Sequence, residues 1–195
     1  MKQLLTALLC VGLVVVAEAA KIKVKAEPDP LYDFATVKTW AWDADAGDVI
    51  MARTQSDDPA PLKARVDPLI RKYVSAAMAK KGLTETTGAP DVFLHYYVLV
   101  TISSSGQYMG QFLPAVPYWG LPGFSAGSAT SLSVATKGSL VLDAMLPGAK
   151  DERRVIWRGM AESTVGDADQ PATREARIRE ASTGLVEKFP LKKKK

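Results

Sequence analysis

The chain is nearly without the residues that carry covalent or metal chemistry: one cysteine and one histidine in 195 residues. Zinc sites draw on several Cys or His side chains at close spacing, so a zinc centre falls away. Any Ser/His/Asp or metal chemistry would have to run through His95 alone. That histidine stands between Leu94 and Tyr96 in an apolar run, which predicts a hydrogen-bonded residue of a central strand. Cys10 lies in the extreme N-terminal segment, so the chain beyond it has no disulfide and no thiol. No nucleotide-binding motif and no cofactor signature stands out. No basic stripe interleaved with aromatics is present, which argues against nucleic acid.

What is present first is an address. Met1-Lys2 gives a positive start, Leu4 to Val16 is apolar apart from Thr6 and Gly12, and Ala17-Glu18-Ala19 offers small residues at a cleavage site. This three-part pattern predicts a secretory signal peptide over residues 1–19. Its apolar run is shorter than the roughly 20 residues that span a bilayer. The expected location is periplasmic or secreted after cleavage near Ala19. A lipid-anchored form through Cys10 is the lesser reading, because Leu8 and Leu9 precede that cysteine where small residues are wanted. Net charge is +4; Lys2 and Glu18 cancel, so the tail Lys192–Lys195 supplies all of it. That tail reads as a solvated end.

Residues 20–190 read as one domain. Lys21–Lys25 alternates like a short strand that Pro28 and Pro30 stop, and Phe34 to Trp42 reads as a second strand. Residues 43–61 read as a loop. Asp67-Pro68 reads as a helix start, followed by an apolar stripe of Leu69, Ile70, Tyr73, Val74, Ala77 and Met78; Lys80, Lys81 and Gly82 close the helix. Val92–Ile102, opened by Pro90, has two apolar faces and is expected to be a central strand. Gly138–Leu146 and Arg154–Val165 read as a hairpin, with Val155, Trp157, Gly159 and Ala161 on one face. A second helix starts at Asp169-Gln170-Pro171, with a stripe of Ile178, Ala181, Leu185 and Phe189. The expected order is β-β-α-β-β-β-α. It implies a two-layer α+β domain with a mainly antiparallel sheet and both helices on one face; a split βαβ arrangement of the ferredoxin type is the alternative.

Four blocks carry a resemblance. They are Asp33-Phe34 with Thr39-Trp40-Ala41-Trp42; Lys81-Gly82-Leu83; Pro90-Asp91-Val92; and Leu140–Asp143 followed by Val155-Ile156-Trp157-Arg158-Gly159. In this order and spacing they resemble a bacterial cell-envelope family of unknown function, DUF4136. The resemblance implies an exported, often lipid-anchored domain and no reaction. The chain departs from that pattern in lacking a convincing lipid-acceptor cysteine.

The segment 103–137 is the main functional candidate. It is rich in Ser, Gly and Pro and carries five aromatics, Tyr108, Phe112, Tyr118, Trp119 and Phe124. Rings among chain breakers dock onto membranes, sugars or proteins because they bury much area at little entropic cost; the alternative is a loop folded onto its own domain. The expected role is a non-enzymatic binding or structural accessory that meets an envelope component (protein, lipid or glycan). A carrier of a small lipid or sugar ligand is the second reading. A hydrolase using Asp143 and Glu162 is the third, on condition that the two carboxylates meet about 5–9 Å apart. Trp157, with Gly159 making room for it, is expected in the core beside Trp40 and Trp42, and Arg158 on the surface.

Overall fold

The computed structural model describes residues 22–52, 58–102, 136–148, 153–164 and 170–191. The leader 1–19, the aromatics of 103–137 and the tail Lys192–Lys195 lie outside the described residues.

The elements are β1 (Lys23–Pro28), a 3-10 turn (Phe34–Thr36), β2 (Thr39–Trp42), β3 (Asp48–Ala52), α1 (Ala60–Lys80), β4 (Thr84–Glu85), β5 (Val92–Ile102), β6 (Thr136–Met145), β7 (Val155–Thr164) and α2 (Pro171–Glu187). The sheet runs β1-β7-β6-β5-β2-β4, with β3 also on β5. The long ladders β1·β7, β7·β6 and β6·β5 are antiparallel, whereas β2, β3 and β4 join in parallel. The fold is the expected α+β class, with a mixed, mostly antiparallel sheet.

Both helices pack on one face. Ile70, Val74 and Met78 of α1 and Ala181, Leu185 and Val186 of α2 share one core with Trp40, Val92, Leu94, Tyr96, Leu140, Leu142 and Trp157. Alternation sends the odd residues of β5 to the other face. There Tyr97 and Leu99 meet Val141 and Met160 in a small cluster, with Ile50 beside it.

Four expectations need correction. The Phe34–Trp42 segment is not one strand: Asp33 accepts a hydrogen bond from Ala35 N, a short turn follows, and the strand begins at Thr39. Residues 43–61 are not all loop, because β3 lies alongside β5. The first helix starts at Ala60, after Asp58 accepts from Ala60 N at 2.9 Å, and runs on through Pro68. Proline lacks the N–H that would bond the carbonyl four residues back, yet the helix continues through it, and Val66 in the extra turns is buried. In the hairpin, a bulge sets Ala144 opposite Trp157 and Met145 opposite Val155. The extra residue, Ile156, therefore takes the core place expected of Val155.

Two glycines are needed where they stand. Gly82 has φ +84° just beyond α1, and Leu83 N closes on Met78 O at 3.1 Å. At Gly159 a Cβ would lie 2.6 Å from the Trp157 ring and 2.8 Å from Leu185. The expected pairing of a core tryptophan with a bare backbone is thus what the sheet contains.

Candidate functional site

On the helix-free face, the sequence of two central strands forces charge into the sheet. β6 reads Leu140-Val141-Leu142-Asp143-Ala144 and β7 reads Ile156-Trp157-Arg158-Gly159-Met160. Each is apolar but for one charge, and the register sets Asp143 directly opposite Arg158. Nε and Nη2 of Arg158 donate to the two oxygens of Asp143 at 2.6 Å each. The pair is out of water, with Asp143 at 1% and Arg158 at 3% exposure. Burial works against the Arg158 guanidinium, but the hydrogen bond and charge of Asp143 outweigh it and raise Arg158 above its usual value. Burial raises the Asp143 carboxyl above its ordinary value, against the opposing pull of Arg158 and His95. A two-point contact with a cation that cannot release its proton keeps this carboxylate ionised.

The row continues across β5. His95 is opposite Asp143 on the β5·β6 ladder. The break between β2 and β3 determines what lies on its other side. β2 follows β5 along Val92–Leu94 and β3 follows it from Tyr97 onward. Between them the chain turns at residues 43–47, with Ala46 N donating to Asp43 O and Asp43 N to Leu94 O. Gly47, at φ +110°, permits this: a Cβ there would lie 2.5 Å from the Tyr96 hydroxyl. The turn brings two carboxylates to His95. Nε2 lies 3.1 Å from Asp48 Oδ2, and Nδ1 lies 3.6 Å from Asp43 Oδ2. A carboxylate only accepts, so Nε2 is the nitrogen that donates.

Further groups close the cluster. Asp43 is paired with Arg153, whose guanidinium sits 4.3 Å over the Phe93 ring. Although burial alone would raise it, Arg153 and His95 hold the Asp43 carboxyl below its ordinary range. The Tyr97 ring lies 4.6 Å from the His95 ring, tilted by 35°. Burial first, then the Asp143 charge, push the Tyr97 hydroxyl up to about 12, so it stays protonated at any physiological pH.

Two readings change here. Arg158, expected on the surface, is buried, because strand alternation identifies a face but register decides which residue stands opposite. Asp143 and Glu162 do not meet. Glu162 stands opposite Ser139 and Lys23, four residues along the ladder from the Asp143 position, or about 13 Å at strand rise. His95 is the hydrogen-bonded sheet residue its setting predicts. Both of its nitrogens face carboxylates, so neither is turned to a hydroxyl or thiol. Among the described residues no three His, Cys, Asp or Glu side chains are placed to hold a metal ion. Nor is any described helix long and apolar enough to cross a membrane. Sequence reasoning missed Asp43, Asp48 and Arg153. The one available signal was the single charge inside each of two apolar runs, Leu140–Ala144 and Ile156–Met160, because a buried charge requires partners.

No curated protein matches the chain. A solved DUF4136 family protein from Bacteroides thetaiotaomicron superimposes with a TM-score of 0.54 at 18% identity, over 89% of this chain and 98% of that one, a likeness of fold. A PDZ domain protein from Parabacteroides distasonis is similar over 90% of this chain and 36% of its own, at 16% identity and a TM-score of 0.49. The PelC dodecamer from Paraburkholderia phytofirmans is similar at 7% identity and a TM-score of 0.33, over 85% of this chain and 98% of its own. With the family's sequence model matching residues 24–191, the chain belongs to the family Domain of unknown function (DUF4136).

Proposed function

We propose that this is an exported cell-envelope protein that binds or stabilises an envelope component rather than catalysing a reaction. Its working surface is the helix-free face of the sheet together with the 103–137 segment that joins β5 to β6. The observation carrying this reading is the state of the ionisable groups on that face. Asp143 is taken by Arg158, Asp43 by Arg153, and His95 by Asp48. Catalytic groups need a pKa tuned to the task and a free donor or acceptor facing substrate. Groups consumed in fixed pairs instead make a rigid platform. The connection leaves β5 after Ile102 and returns at Thr136 of β6, so its aromatics Tyr108, Phe112, Tyr118, Trp119 and Phe124 are tethered to the two strands that carry His95 and Asp143. Export is supported by the leader pattern of residues 1–19.

The test expresses the chain from Met1, fractionates the cells and determines the N-terminal mass of the product. A parallel variant has all five aromatics replaced by Ser. The expected result is a product starting at Ala20 that accompanies the envelope fraction, and a variant that folds normally by circular dichroism yet is released. A folded variant that stays with the envelope as the parent does would refute the role of the segment. A product that begins at Met1 in the cytosol would refute export.

A further inference from the structure

β1 ends the sheet. It pairs with β7 on one side, and among the described residues no strand pairs with its other side. The direction of its backbone groups follows from one bond. Asp29 N donates to Ile156 O at 2.7 Å, in continuation of the β1·β7 register. In an antiparallel ladder the hydrogen-bonded pairs recur at every second residue. Lys23, Lys25, Glu27 and Asp29 therefore turn their N–H and C=O groups to β7. Ile22, Val24 and Ala26 turn theirs outward, and Pro28 presents only a carbonyl. The side chains of Val24 and Ala26 belong to the helix-side core, so Lys23, Lys25 and Glu27 project on the helix-free side.

We propose that this edge is an interface between two copies of the chain, joined by antiparallel pairing of β1 with β1 about a dyad at Lys25. Three neighbouring registers preserve the hydrogen-bonding phase, and charge and proline select among them. A dyad at Val24 sets Lys23 against the partner's Lys25 on both sides, and like charges directly opposite are destabilising. A dyad at Ala26 sets Lys25 opposite Glu27, but it puts Pro28, which has no N–H to return, opposite Val24 beside the axis rather than at the end of the ladder, and so forms fewer hydrogen bonds than a dyad at Lys25. A dyad at Lys25 pairs Val24 with Ala26 twice, gives Ile22 N–H the Pro28 carbonyl at each end, and sets Lys23 opposite Glu27 on either side of the axis. The single like-charged contact is Lys25 with its own copy, on the axis; Lys25 already has an interaction within its own chain. Lysines on an edge discourage indiscriminate strand addition. Here the same residues favour one register over its two neighbours. The inference is independent of the function proposed above.

The test is sedimentation equilibrium of the purified full chain, with circular dichroism as the folding control. The expected species is a dimer that dissociates on dilution. E27K, which sets Lys against Lys at both ends, should weaken the association by about tenfold or more, and the charge-swapped K23E/E27K should restore it. A26P removes an outward N–H without touching the β7 ladder and should yield monomer with an unchanged spectrum. A monomer at about 100 μM, or a dimer indifferent to A26P, would overturn the proposal. A dimer sensitive to A26P but not rescued by the charge swap would overturn this register.

Discussion

The buried Asp143–Arg158 pair should be the most sensitive point of the sheet to loss of a single charge. The perturbation is Asp143→Asn, which keeps the shape of the side chain and removes its charge. Arg158 would then be a cation at 3% exposure, with its Nη1 already lacking a hydrogen-bond partner among the described residues. Removing one partner of a buried pair costs about 3–5 kcal/mol, because the remaining charge stays desolvated and uncompensated. That is a large part of a typical domain stability of roughly 5–15 kcal/mol. At about 2–4 °C per kcal/mol for a chain of this size, the midpoint should fall by roughly 6–20 °C. Urea and thermal unfolding of the variant measure this directly. The companion is Asp143→Leu with Arg158→Met, which removes both charges and fills the site with apolar atoms. It should recover most or all of the loss, since a buried pair replaced as a unit is often neutral or better. A cost below about 1 kcal/mol for Asp143→Asn would show that water reaches the pair, and the closed platform would be lost with it.

Other outcomes follow from the same geometry. Gly159→Ala should destabilise by about 1–3 kcal/mol in urea unfolding, because the new methyl overlaps Trp157 and Leu185. Pro68→Ala should stabilise by about 1 kcal/mol or more, since the proline interrupts α1 rather than opening it; a loss would restore Asp67-Pro68 as the helix start. Asp91 accepts from Lys38 N, Thr39 N and the Thr39 hydroxyl at 2.8–3.0 Å, and those bonds hold its carboxyl below the ordinary 3.8. A depressed folded-state pKa contributes stability above the unfolded value that is lost as pH falls through the folded one. Asp91→Asn should therefore lower stability at neutral pH and flatten its decline below about pH 4, by unfolding measured across an acid series.

Local patterning carried the long elements. The two apolar faces of Val92–Ile102 specify a central strand because alternation is intrinsic to the backbone, and the bounds of β5 match that reading residue for residue. The stripe of Leu69, Ile70, Tyr73, Val74, Ala77 and Met78, with Gly82 behind it, likewise specifies one helix face and its end, with Ile70, Val74, Ala77 and Met78 buried and Leu69 and Tyr73 half-buried at its margin. What only tertiary structure decided was opposition. Register placed Arg158 rather than Glu162 against Asp143, a one-residue bulge exchanged Ile156 for Val155, and parallel pairing to β5 drew Asp48–Ala52 out of an apparent loop. It also brought Asp43 and Asp48 onto His95. Periodicity is a property of consecutive residues, written along the chain. Partnership is fixed by which strand lies beside which, and its energy comes from residues far apart in the chain, such as Asp143 and Arg158 at 15 positions, His95 and Asp48 at 47, and Lys38 and Asp91 at 53, where no local rule reaches.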